Sequence, residues 1–161
     1  MALVYLLLGS NLGDKVKLIR KAKSYLEKKV GPIINESSLY KTEAWGNNLM
    51  PDFLNQLLIV ETKISAEVIL SIIFEIENKM GRIRKEDQYI SRTIDIDILF
   101  YDNLIIKSKN LNIPHPKIEE RRFVLIPLAQ IAPDLIHPVT GEKISKLLEI
   151  CKDNLSVQKM D

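Results

Sequence analysis

The chain opens on a continuous apolar run, Ala2 to Leu8, that stops at Gly9-Ser10-Asn11. A strand buried on both faces reads this way, because neither side alternates toward water. The period then changes: Leu18, Ile19, Ala22, Tyr25, Leu26 and Val30 recur at helical spacing, with Asp14 placed as N-cap and Gly31-Pro32 as the stop. Residues 33 to 40 (IINESSLY) predict a second strand. After Thr42 the stretch EAWGNNLMP, with Gly, two Asn and Pro and no sustained period, predicts a loop that carries Trp45. The next strand runs from about Phe53 to Thr62, and Ser65 opens a second helix with Val68, Ile69, Ile72, Ile73, Ile76 and Met80 on one side. Gly81 is placed as its left-handed C-terminal residue. Arg82 to Arg92 (RIRKEDQYISR) is polar and aperiodic, and TIDIDILFY then alternates as a strand. Asp102-Asn103 predicts a turn into a short apolar return, Leu104-Ile105-Ile106. The segment from Ile113 to Ile144 is dense in proline and predicts loops alternating with short helical turns.

Strand, helix, strand, strand, helix, strand is a split βαβ order. It predicts an α+β fold, a ferredoxin-like βαββαβ sandwich with an antiparallel sheet, both helices on one face, and a proline-rich C-terminal extension. At 161 residues, 46% hydrophobic and 27% charged, the chain fits one domain, residues 1–161, with one core. Lys+Arg 23 against Asp+Glu 21 leaves +2, too balanced for nonspecific attraction to nucleic acid or anionic lipid, so any anion site must be local. The one cysteine, Cys151, excludes an internal disulfide and a Cys-based zinc site, and makes the cytoplasm the default compartment. With no apolar run near the roughly 20 residues that span a bilayer, neither a membrane nor a nucleic-acid partner is expected, and a monomer is.

The sharpest chemistry lies in Asp95-Ile96-Asp97. Alternate side chains of a strand share a face, which puts the two carboxylates together with Cα atoms roughly 7 Å apart and sends Ile94, Ile96 and Ile98 to the other side. Charges on a half-buried strand are costly unless paired or metal-bound, and oxygen-only ligands with open positions suit Mg²⁺ completed by substrate phosphates. A strand face with solvated aspartates is the competing reading. Arg82, Arg84, Lys85 and Arg92 precede this strand and Arg121-Arg122 follow the proline-rich stretch. Guanidinium forks beside metal carboxylates suit a polyphosphate, although the same loop could be solvated and paired with Glu86 and Asp87. Phe53 and Asn55 share a strand face, an aromatic plane beside an amide, as a flat hydrogen-bonding heterocycle requires, and Phe123 could supply a second plane. Core packing is the alternative for either phenylalanine. Glu77 falls on the apolar side of the second helix, as an orienting carboxylate or an ordinary helix-end charge. Gly9 to Lys15 is one residue short of a Walker A loop, with Val16 where Ser/Thr is needed, so it reads as a tight turn and N-cap. His115 and His137, the only histidines, are far apart and each beside proline, which disfavours a zinc site; His115 could donate to a phosphate. There is no G-x-S-x-G elbow and no motif around Cys151 to support covalent catalysis.

Taken together, LLLGSNLGD at 6–14, Tyr40-Lys41-Thr42, Pro51 to Asn55, Glu77 with Gly81-Arg82, Arg92 to Leu99, and Ile113-Pro114-His115-Pro116 through Arg121 and Phe123 to Leu125 closely resemble the 6-hydroxymethyl-7,8-dihydropterin pyrophosphokinases, over nearly the whole chain. The resemblance implies transfer of the β,γ-pyrophosphoryl group of MgATP to the pterin hydroxymethyl oxygen with release of AMP, a step of folate biosynthesis. It implies two Mg²⁺ at Asp95 and Asp97, and Arg82 and Arg92 as catalytic arginines of a mobile loop. ATP contacts fall to Arg84, Arg92, His115, Arg121 and Ile98; pterin contacts fall to Thr42, Trp45, Phe53, Asn55, Phe123 and Asp95. The chain departs from the family pattern at Tyr89-Ile90-Ser91, where Trp-Gly-Pro is common, at Phe74 for glutamine, and at Ala44 and Met50 for Pro and Gln. Two rivals remain at this level. One is another metal-dependent phosphoryl or nucleotidyl transferase; the other is a ferredoxin-like RNA-binding module, against which the acidic pair argues.

Overall fold

The computed structural model describes residues 1–42, 51–81 and 93–160. The opening apolar run forms strand β1 (Ala2–Ser10), paired antiparallel along its whole length with β4 (Phe53–Thr62), from Ala2 opposite Thr62 to Ser10 opposite Leu54. On its other side β1 takes β5 (Asp95–Tyr101), again antiparallel. Both long strands are buried almost throughout, which is why they lack alternation. Helix α1 (Lys15–Lys29) starts where Asp14 accepts a bond from the Lys17 amide at 3.2 Å. Helix α2 (Ala66–Lys79) starts on Ser65 in the same way and ends before Gly81 at φ 85°, a backbone angle that favours glycine. Both pack on one sheet face: Ile19, Ala22, Leu26, Ile69, Ile73 and Ile76 meet Val4, Leu6, Leu8, Leu58, Ile96 and Ile98.

The second strand of the pattern is two strands. β2 (Ile33–Glu36) and β3 (Tyr40–Thr42) both pair with β4, with a break between them. Ser37 causes it. Its amide donates to Leu57 O at 2.9 Å, but its hydroxyl, not a carbonyl, accepts from the Leu57 amide at 2.9 Å. Its carbonyl instead takes the Gln56 side chain at 2.8 Å, so the ladder is interrupted by local side-chain bonding. The described sheet runs β5-β1-β4-β3-β8, with β2 also on β4; β8 (Val157–Lys159) adds an edge beyond β3 that the sequence pattern did not signal. This is the expected ferredoxin-like order with one strand more.

The apolar return after Asp102-Asn103 does not pair with β5. Asp102, at φ 48°, grips β1 instead: its amide donates to Leu3 O at 2.8 Å and its carboxylate accepts from Leu3 N at 2.7 Å. The chain is thereby directed off the sheet, and β6 (Ile106–Lys107) pairs with β7 (Asn112–Ile113) as a separate hairpin. The proline-rich extension is also more helical than loops with short turns. After a 3₁₀ turn (Ile118–Glu120) comes α3 (Arg122–Ile131), ten residues long with Pro127 inside it, and then α4 (Ile144–Ile150). A mid-helix proline costs roughly 3 kcal/mol. Burial of Val124, Leu125, Pro127 and Leu128 over Tyr5, Leu7, Leu57 and Ile59 offsets it, at roughly 1.5–3 kcal/mol per fully buried large apolar side chain. The extension therefore builds a second core on the sheet face opposite α1 and α2. No described helix is long and apolar enough to cross a membrane.

Candidate active site

The end of the sheet near Ser10 is where α3 begins, and there the second face carries polar residues in place of Leu and Tyr. Register fixes their arrangement. Asp95 lies opposite Gly9, Gly9 opposite Asn55, and Asn55 opposite Tyr40, so one row crosses four strands on one face. The next rows place Asp97 against Leu7 and Thr42 against Phe53. Leu7 belongs to the α3 core and Ile96 and Ile98 to the α1/α2 core, so Asp95 and Asp97 point together toward the α3 side, both half-buried. This is the geometry the alternation predicts.

Asn55 is buried and already oriented. Its Oδ1 accepts from Thr42 Oγ1 at 2.9 Å and its Nδ2 donates to Leu8 O at 3.3 Å, leaving its second amide hydrogen for a ligand. Gly9 lets it lie there, because a Cβ at that position would stand 2.8 Å from Asn55 Nδ2 and 3.7 Å from Phe53 Cδ1. Sequence reasoning missed Gly9 as a site residue and assigned it to a turn. The signal was present in the pairing of Gly9 with both Asn55 and Asp95, which needs the strand register.

The segment 115–123 approaches from the extension. β5 carries a bulge where pairing passes from Leu6–Ile98 to Tyr5–Phe100, and Leu99 O accepts from the His115 amide at 3.0 Å. Arg121 stacks its guanidinium 5.6 Å from the centre of the half-buried Phe123 ring, which packs on the α3 core. Asp95 and Arg121 both act electrostatically on His115. Asp95, Asp97, Thr42, Phe53, Asn55, His115, Arg121 and Phe123 thus belong to one end of one face. Ile98 does not join them: its side chain is buried on the opposite face, against the α1/α2 core. β5 is an edge strand of the described sheet. Trp45, Arg82, Arg84 and Arg92, and the departures at Ala44, Met50 and Tyr89-Ile90-Ser91, lie outside the described residues.

Glu77 takes the orienting role. It is 1% exposed, and its Oε2 accepts from the Ile96 amide at 3.0 Å. That bond ties α2 to the β5 backbone between the two aspartates. Of the Gly9–Lys15 segment, Gly9 and Ser10 close β1 and only Asn11 to Asp14 form the expected turn and N-cap, with Lys15 Nζ donating to Asp52 O at 2.8 Å.

His115 is held at a pKa of about 4, below its ordinary 6.5, chiefly by burial; Arg121 adds to the shift, Asp95 opposes it, and Lys117 adds a little. Its Nδ1 accepts from the Lys117 amide at 3.1 Å, so the neutral ring carries its proton on Nε2 as a donor. Between pH 6.5 and 4 the unfolded chain binds a proton that the folded site refuses, so this contribution to stability is complete above 6.5 and falls as pH drops toward 4. His115→Gln is expected to lose part of that acid-side decline. Urea midpoints at about pH 7.5 and about pH 5 for both proteins check it; an unchanged difference would mean that His115 is not buried neutral.

Among the described residues no group of three or more His, Cys, Asp and Glu could enclose a metal. Two half-buried carboxylates on one strand face offer oxygen ligands, which suit a hard cation that keeps open positions for water and substrate oxygens, as Mg²⁺ does.

Comparison with known proteins identifies the family. The family model described as 7,8-dihydro-6-hydroxymethylpterin-pyrophosphokinase matches residues 5–133. The 2-amino-4-hydroxy-6-hydroxymethyldihydropteridine pyrophosphokinase of Aquifex aeolicus is 40% identical over 139 residues, 86% of this chain and 86% of that protein. The folic acid synthesis protein fol1 of Pneumocystis carinii is 40% identical over 151 residues, 94% of this chain and 20% of its own length, so the chain spans about a fifth of that relative. The solved wild-type HPPK-DHPS of Plasmodium falciparum shares the fold at a TM-score of 0.72 and 19% identity, over 92% of this chain and 44% of that one. With the family's model matched over residues 5–133 and a pyrophosphokinase 40% identical along 86% of its own length, this chain belongs to the 7,8-dihydro-6-hydroxymethylpterin-pyrophosphokinase family.

Proposed function

We propose that the chain carries out its family's reaction, ATP-dependent pyrophosphoryl transfer to 6-hydroxymethyl-7,8-dihydropterin in folate synthesis, on the sheet face built by Asp95, Gly9 and Asn55. The observation that carries this placement is the single row across β5, β1 and β4, which sets a carboxylate, a bare backbone and an oriented amide side by side. The pterin lies over Gly9, where no side chain intervenes. Asn55 and Thr42 read its polar edge, and Phe53 and Phe123 supply aromatic planes, with Trp45 from the segment after Thr42. The pterin hydroxymethyl oxygen attacks the β phosphorus, the bond from that phosphorus to the α-phosphate oxygen breaks, and AMP leaves. His115 Nε2–H and Arg121 donate to phosphate oxygens, and Arg82, Arg84 and Arg92, which precede β5 in the chain, add positive charge. Asp95, level with Gly9, is the carboxylate beside the pterin; with Asp97 it would hold two Mg²⁺. When bound, these ions supply charge neutralisation and orientation of the triphosphate. The protein's part is positioning and fixed electrostatics. We place it in the cytoplasm, on its lone cysteine, as a single-domain monomer.

Product analysis tests the reading. Incubation with ATP, Mg²⁺ and the reduced pterin is expected to give AMP and pterin diphosphate in equal amounts, with none formed after chelation. ADP or free pyrophosphate as the product would overturn it.

A further inference from the structure

His137 lies outside the site and is 3% exposed, an unusual place for a histidine that no sequence motif explains. Its ring meets Phe100 edge-on, with centroids 5.6 Å apart, and its Nδ1 accepts from the amides of Val139 at 3.2 Å and Thr140 at 3.3 Å. The proton therefore sits on Nε2, which comes within 2.9 Å of Glu119 Oε1 but out of line for a straight hydrogen bond. Glu119 belongs to the 3₁₀ turn between His115 and Arg121. That segment is also held by His115 N on Leu99 O at 3.0 Å upstream and by Arg122 N on Asp153 Oδ2 at 2.9 Å downstream. Between them Ile118 is buried in the α3 core, and Glu119 is the carboxylate of the turn that reaches His137.

We propose that His137 is a positioning residue: through Glu119 it fixes the turn that presents His115 and Arg121 to the phosphate chain of the nucleotide. The inference rests on the site placement argued above and adds a residue that touches no substrate. It also sets a specificity in the effect, since the turn carries the phosphate-side groups while Gly9, Asn55 and Thr42 are held by the sheet. Loss of the tether then weakens nucleotide binding and leaves the pterin slot as it was.

Glu119 allows the contact to be cut from the surface, because its side chain is 39% exposed and leaves the core intact when truncated. Glu119→Ala is expected to raise the KM for ATP about tenfold, the usual size for a lost bond to a charged group, with the pterin KM and the melting temperature little changed. Glu119→Gln keeps an acceptor and is expected to return the ATP KM to within about threefold of wild type. His137→Gln combined with Glu119→Ala should be no worse than Glu119→Ala alone. An unchanged ATP KM in Glu119→Ala, or equal rises in both KM values, overturns the proposal while wild-type turnover leaves the functional reading standing. A wild type that converts neither substrate removes both.

Discussion

Asp97→Ala is expected to abolish metal-dependent turnover, by at least roughly 10²–10³-fold, while the protein stays folded. The two halves of this expectation have separate causes. β5 is held by its ladder to β1, by Ile96 and Ile98 in the core beneath, and by Glu77 on the Ile96 amide. None of these involves the Asp97 side chain, which is half-buried on the other face. What is lost is the second carboxylate of the pair, without which a hard cation has one protein ligand and no fixed position. The measurement is AMP release against Mg²⁺ concentration, alongside a urea denaturation curve. Normal turnover in this variant would refute the assignment of the acidic pair, and a large fall in the urea midpoint would show that Asp97 serves the fold.

What could be read in the sequence was whatever depends on near neighbours along the chain. Asp14 and Ser65 cap their helices because an Asx or Ser side chain three residues before a free amide is a local matter, and Gly81 ends its helix for a reason confined to one residue. Asp95 and Asp97 share a face by alternation alone. The misses need a partner strand or a second core. Ser37 breaks its strand through Leu57 and Gln56, twenty and nineteen positions away. Pro127 marks a helix breaker in the sequence, yet α3 keeps it because the sheet face beneath needs covering. The Leu99 bulge, which turns a carbonyl toward His115, is invisible to a period-two count. The site divides along the same line: its residue types were legible in the motif, but the row that joins Asp95 to Asn55 through Gly9 exists only once β1 lies between β5 and β4.

Gly9→Ala tests that row, and its expected effect on the pterin is large. The φ angle of Gly9 is not among the positive ones, so alanine meets no backbone strain and the whole effect is steric. β1 is paired on both sides and has no freedom to retreat. The new Cβ, 2.8 Å from Asn55 Nδ2, therefore displaces the amide, which must give up Leu8 O and Thr42 Oγ1 as it turns. Overpacking of this kind costs about 1–3 kcal/mol of stability. The methyl group also fills the flat floor beside Phe53, and the amide that reads the heterocycle is misaimed. Pterin affinity is expected to fall about 10²-fold, which corresponds to about 2.7 kcal/mol, while ATP affinity stays within about threefold. Titration calorimetry with each ligand measures the split, and the double variant with Asn55→Ala supplies the control. Once the Asn55 side chain is absent, the clash goes with it, so adding Gly9→Ala should cost little further stability. Equal losses for both ligands, or an undiminished stability cost in the Asn55→Ala background, would place the strain elsewhere and detach Gly9 from the pterin slot.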